Sequence, residues 1–367
     1  MALVVGVAGI TACAAAPAAP VRDEGWLTGR LTAAVSAKDQ QAFDALFRGE
    51  ENAGIRHWIW LNLLTLPQID FGTDGNTLTA DWRIGPDMMN ITSRVGQVAC
   101  GVSDGCAVTD MGPQTGVPAP IWAVQPLAVT GSRPVIVLGA PDDASAPDWL
   151  AAAQAARQAI TGAGLSDLAV AWDGNLVVEL PQDAGAMAHL LGQPSIAGYT
   201  TTGALTWIER PPSTSSITSS EVGYVAHIIV NPMTTASLTP AQKTLLLTHE
   251  AVHVATVARP VAPGASWVTE GLAESIAVAA SPDDVAAETS QAKATCTAAG
   301  LTPPADGDFG GTDAAAQTVA YATSQVLVGL IRTHLGASAM DAIALLWQGQ
   351  DAPGVDLEAW SKTWCEG

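Results

Sequence analysis

Residues 240–258 read "PAQKTLLLTHEAVHVATVA", one uninterrupted helical run that carries two histidines and a glutamate. Thr239 can cap this helix, and Pro240 takes its first position, where a missing N–H is without consequence. Arg259–Pro260 then stops it. His249 and His253 are four apart, so both imidazoles project from one face and can bind one ion. Glu250 lies one position round from His249. That placement suits a base acting on water activated by the ion better than a third ligand. With 6 His and 12 Glu in 367 residues, chance would give His-Glu-x-x-His in roughly three of a thousand such chains. The flanks are apolar, and two histidines with a glutamate on a buried helix are costly unless a partner such as a metal offsets them. Surface histidines are the bland alternative.

A hydrolytic zinc site takes three protein ligands and keeps one position open. The segment "ASWVTEGLAESIAVAA" (265–280) supplies the expected third ligand, Glu270, on a second helix that follows a turn at 260–264. Glu274 lies one turn further along the same face. A carboxylate there can accept the free N–H of a ligand histidine and fix its orientation, and His249 is its expected partner. For both glutamates the alternative is a solvated helix face.

Together, "THEAVHVAT" and "SWVTEGLAES" resemble the gluzincin clan of zinc metallopeptidases over residues 225–335. The resemblance implies that His249, His253 and Glu270 bind Zn2+, that Glu250 is the general base, and that a peptide or protein is the substrate. It also implies an edge strand just before the helix, antiparallel to bound peptide, a slot filled by "VAHIIVNP" (225–232). His227 lies on that strand, where an ordinary strand histidine is the expected reading. "VAYATSQVLVGLIRTHLG" (319–336) resembles the helix that follows the third ligand. Tyr321 is thereby the candidate donor to the developing oxyanion, against simple core packing; His334 is the runner-up, and Tyr199 and Tyr224 come after it. No Gly-x-Met-Glu-Asn exopeptidase motif is present, so an endopeptidase is expected. The alternatives are an inactive zinc-binding scaffold or binding lipoprotein of the cell envelope, and a metal-free structural protein.

The remaining sequence sets the context. Acidic residues outnumber basic ones 35 to 15, a formal charge of −20. So acidic a surface argues against nucleic acid and against a polybasic membrane patch. The N-terminal "MALVVGVAGITACAAAPAAP" has the apolar length of a signal peptide and is too short to span a bilayer. "ITAC" (Ile10–Cys13) resembles a bacterial lipobox, which implies a lipid anchor on Cys13 as the one membrane attachment; cleavage at an Ala-x-Ala site, releasing the protein, is the alternative. The other four cysteines, in an exported chain, read as two disulfides. Of three possible pairings, Cys100–Cys106 and Cys296–Cys365 are expected.

The class expected is α+β. Residues 1–22 are leader and tether. Residues 23–130 form a small helix-plus-strands domain, reminiscent of NTF2-like or cystatin-like folds, with one amphipathic helix over 27–47 and strands such as "NTLTADWRI" (76–84). Residues 131–367 form a zincin-like domain, with strands and helices alternating from "RPVIVLGAP" (133–141) onward and mainly helix after Thr239. Oligomeric state is not legible.

Overall fold

A computed structural model describes residues 22–49, 53–85, 88, 90–101, 104–165, 168, 172–209, 225–280, 285–310 and 313–367. Cys13, Tyr224, the lipobox and the Ser/Thr/Pro-rich loop at 211–220 lie outside these residues. The chain is α+β, as expected.

The first helix, α1 (Glu24–Ala37), is capped by Asp23, whose carboxylate accepts from Trp26 N. The single helix expected over 27–47 is in fact two. Lys38 adopts a left-handed conformation (φ 56°), and Asp39 then caps α2 (Gln40–Asp44) by accepting from Ala42 N. A local side-chain hydrogen bond thus outcompetes continuation of the helix. The apolar run at 56–66 lies mostly on α3 (Ala53–Leu63), which buries Ile59, Trp60 and Leu63. Among the described residues three helices therefore precede the strands, where one was expected. Strands β1 (Gln68–Asp74), β2 (Thr77–Arg83), β3 (Ile91–Gly101) and β4 (Gly105–Met111) follow as an antiparallel meander.

After one helical turn, α4 (Ile121–Val124), a second sheet begins. Its elements are β5 (Ala128–Ser132), β6 (Val135–Gly139), α5 (Ala146–Gly162), β7 (Leu176–Glu179), α6 (Ala184–Leu190), β8 (Ala204–Glu209) and β9 (Val225–Val230). The strand order is β5-β6-β7-β9-β8: β6, β7 and β9 run parallel, while β5 and β8 are antiparallel to their neighbours. This corrects one expectation. The segment 225–230 is an interior strand, and among the described residues the outer strand beside it is β8. The sequence of β9, "VAHIIV", is nearly continuous in apolar residues because both its faces are covered.

Alternation along the three parallel strands divides the packing. Val137, Val178 and Ile228 face a core shared with α5 and with the helices that follow. The alternate positions, Ile136, Leu138, Val177 and Ile229, join the core of the N-terminal sheet and helices on the other face. The later helices are α7 (Pro232–Thr235), α8 (Pro240–Thr256), α9 (Ser266–Ala280), α10 (Val285–Lys293), α11 (Ala314–Leu335), α12 (Ala339–Trp347) and α13 (Leu357–Glu366). The stretch Ala314–Trp347 has the length and apolarity of a membrane span. Gly336 divides it, however, and Leu327, Val328, Ile331, Ile343 and Trp347 are buried in the core, which accounts for its composition.

Both expected disulfides are formed. Cys100–Cys106 joins β3 to β4, and Cys296–Cys365 fastens the end of α13 to the segment after α10. Such bonds persist in oxidising compartments, which suggests a location outside the cytosol.

Candidate metal centre

Helix α8 begins with a reciprocal cap. Thr239 Oγ1 accepts from Gln242 N, while the Gln242 side chain accepts from Thr239 N at 3.0 Å. With its start fixed, the 3.6-residue period places His249 and His253 on one face, and Glu250 beside them. Helix α9 crosses α8 and brings Glu270 against both histidines. His249 Nε2 and His253 Nε2 are each 3.2 Å from Glu270 Oε2, and the two nitrogens are 3.1 Å apart.

Glu274, one turn along α9, places Oε2 2.8 Å from His249 Nδ1. The Nδ1–H of His249 then donates to Glu274, which leaves Nε2 as the nitrogen that faces Glu270 and His253. Burial alone would lower the pKa of His249. The hydrogen bonds and charges of Glu270 and Glu274 outweigh it and hold that pKa well above the usual histidine value. Burial likewise acts to raise Glu270, but the two histidines outweigh it and hold its carboxyl well below the usual range. His249 and the Glu270 carboxylate thus favour opposite charges at one point, and a divalent cation can take the place of the imidazolium proton there.

The three donor atoms also fit an ion geometrically. Ligands held 2.0–2.1 Å from a tetrahedral ion lie about 3.3 Å from one another, close to the three separations here. His249, His253 and Glu270 form a group able to hold a metal ion.

Helix α11 closes the site, and Gly271 sets its distance. A Cβ at that position would lie 2.4 Å from Ser324 O, so glycine lets α9 and α11 approach at the turn that follows Glu270. The approach brings Tyr321 over His249, ring centroids 5.7 Å apart, with Phe309 on its other side at 5.4 Å. Burial, then the charges of Glu270, Glu250 and Glu274, push the Tyr321 phenol above its ordinary pKa. It therefore stays protonated and able to donate across the neutral range.

A cleft of about 560 Å³ opens over His249, Glu250, His253, Glu270 and Tyr321. Strand β8 forms one wall through Ala204, Thr206 and Ile208, and Tyr199 also lines it. The other sequence candidates lie elsewhere. His227 points to the opposite face of the sheet, where Nδ1 is 3.0 Å from Glu179 Oε1 and the ring packs edge-on to Trp82. His334 stacks on Trp360 at 4.4 Å.

Three residues were missed. Thr206 Oγ1 lies 2.8 Å from Glu250 Oε2 and 3.0 Å from Glu250 O. Asp306 accepts from Gly264 N at 2.7 Å and from Ser266 N at 3.1 Å, capping the start of α9, and Phe309 packs on Tyr321. All three act across a long stretch of sequence or through a loop, beyond the reach of local periodicity. No protein-family model matches the chain, and no curated protein matches it.

Proposed function

We propose that the chain is a zinc-dependent endopeptidase whose cleft binds peptide in extended form along β8. The observation that carries this reading is the convergence of His249, His253 and Glu270 beside Glu250 at the floor of one open cleft. Two imidazoles and a carboxylate suit zinc among the divalent ions, and three ligands leave a coordination position for substrate. Zinc, when bound, supplies Lewis acidity towards a carbonyl and lowers the pKa of water at the site.

The residues of the chain do the rest. The outer strand β8 offers backbone hydrogen bonds to an extended peptide, tolerant of its sequence. Exposed Ile208 and Val261 line the same cleft, which favours apolar side chains on the substrate. Glu250 takes the proton from the attacking water and returns it to the leaving amine. Tyr321, held neutral, donates to the oxygen on which negative charge develops.

The N-terminal segment is read as an export signal ending at the lipobox Cys13, which anchors the protein to the cell envelope by lipid. Metabolic labelling with a fatty acid, lost in Cys13→Ala, tests it. For the activity, the test is Glu250→Gln. That variant should retain about one zinc per chain, as set by the three ligands, and cleave none of the peptides cut by the wild type. Undiminished cleavage removes Glu250 from the mechanism. A wild type that binds zinc and cuts no peptide leaves a zinc-binding scaffold.

A further inference from the structure

We propose that Thr206 is the positioning residue that aims the Glu250 carboxylate, holding the base from the same strand along which substrate lies. This rests on the peptidase reading of the cleft. Glu250 is buried, and its terminal torsion is of the broad, two-fold kind that packing alone fixes poorly. The hydroxyl of Thr206, 2.8 Å from Glu250 Oε2, fixes one carboxylate oxygen and leaves the other for the proton in flight.

Three features fit that role. Thr206 is β-branched and sits on a strand, so its hydroxyl has few rotamers to choose among. The same Oγ1 lies 3.0 Å from Glu250 O, a second acceptor for its one proton, so whichever bond forms joins β8 to the turn of α8 that bears the base. Thr206 also lines the cleft with Ala204, Leu205 and Ile208, while Trp207 packs into the opposite core. A peptide added to β8 would therefore lie against the strand that sets the orientation of Glu250. Substrate binding and alignment of the base then depend on one element, and small misplacements of a reacting group are costly in rate.

Thr206→Val keeps the shape and removes the donor, and Thr206→Ser restores it. In the zinc-loaded full chain, the valine variant should lose kcat about tenfold, as for a lost hydrogen bond to a charged group. KM, zinc content and thermal stability should change little, and serine should recover most of the rate. Crystal structures of the zinc-loaded proteins should show the Glu250 carboxylate rotated in Thr206→Val and in place in Thr206→Ser. An unmoved carboxylate in the valine variant, or an unchanged kcat, overturns the proposal. A parallel loss of stability and rate, without rotation, reduces Thr206 to a strand-to-helix tie. If the wild type binds zinc but hydrolyses no peptide, the peptidase reading fails, and the crystallographic comparison alone still decides whether Thr206 aims Glu250.

Discussion

Glu274 Oε2 lies 2.8 Å from His249 Nδ1, on the side of the imidazole away from Glu270. This single contact keeps a proton on Nδ1 of His249 and turns Nε2 towards Glu270 and His253, the group that could hold a metal ion. It also places a carboxylate with only 8% exposure where no solvent-facing role explains it.

Replacing Glu274 with alanine removes the acceptor but leaves His249, His253 and Glu270 in the chain. Loss of such an orienting partner lowers metal affinity about 10- to 100-fold. Competition with a chelator, comparing wild type and Glu274→Ala, measures it. An affinity equal to that of the wild type would reduce Glu274 to a packing role.

Gly271 allows the close approach of α9 and α11. In Gly271→Ala the new methyl meets Ser324 O at 2.4 Å and Val328 Cγ2 at 2.7 Å. The first of these is backbone of a packed helix and cannot turn aside. Overpacking of this kind destabilises by about 1–3 kcal/mol. Tm should fall, and with it the affinity for any metal ion held by His249, His253 and Glu270, because Glu270 precedes the displaced turn. A Tm equal to the wild type's would show that the helices separate freely.

The helix carrying the histidines was legible because every signal for it is local: a cap, a proline at the first position, and two histidines four apart. Glu270 and Glu274 were legible for the same reason, once a third ligand was sought on the next helix. The mistaken edge strand arose from a non-local property. Which strand is outermost depends on pairing with residues far away in sequence, and β9 reaches its interior place only through its parallel register with β7. Its nearly continuous apolar run, broken by His227 alone, was the available clue, since an edge strand with one wet face alternates. The break at Lys38 was hidden because a left-handed lysine has no composition signal, although Asp39 beside it is a recognisable cap. The Thr206–Glu250 contact joins residues that no periodicity relates.

Tyr321→Phe removes a hydroxyl and leaves the ring against His249 and Phe309. If the phenol donates to the developing oxyanion, kcat should fall about a hundredfold, the effect of one lost donor of this kind. KM and zinc content should hold. Steady-state kinetics on a peptide cut by the wild type separate these quantities. An unchanged kcat assigns Tyr321 to packing alone.

Asp306 gives the stability of the start of α9 a pH dependence separate from His249, His253 and Glu270. The N–H of Gly264, then the Ser266 side chain and N–H, hold its carboxyl below the usual aspartate pKa. A folded-state pKa depressed in this way means that the charged form is favoured by folding. Its stabilising contribution is fully present above the unfolded value of about 3.9 and is lost as pH falls through the lower folded value. Asp306→Asn removes the charge at every pH and weakens the cap on α9. The variant should therefore melt below the wild type at neutral pH, with the gap closing only as the solution is taken below about pH 4. Thermal melts of both proteins from neutral to acidic buffer read the difference directly. A gap of constant size down to the most acidic buffer would mean that the contact is a hydrogen bond indifferent to charge, and that the start of α9 does not depend on ionised Asp306.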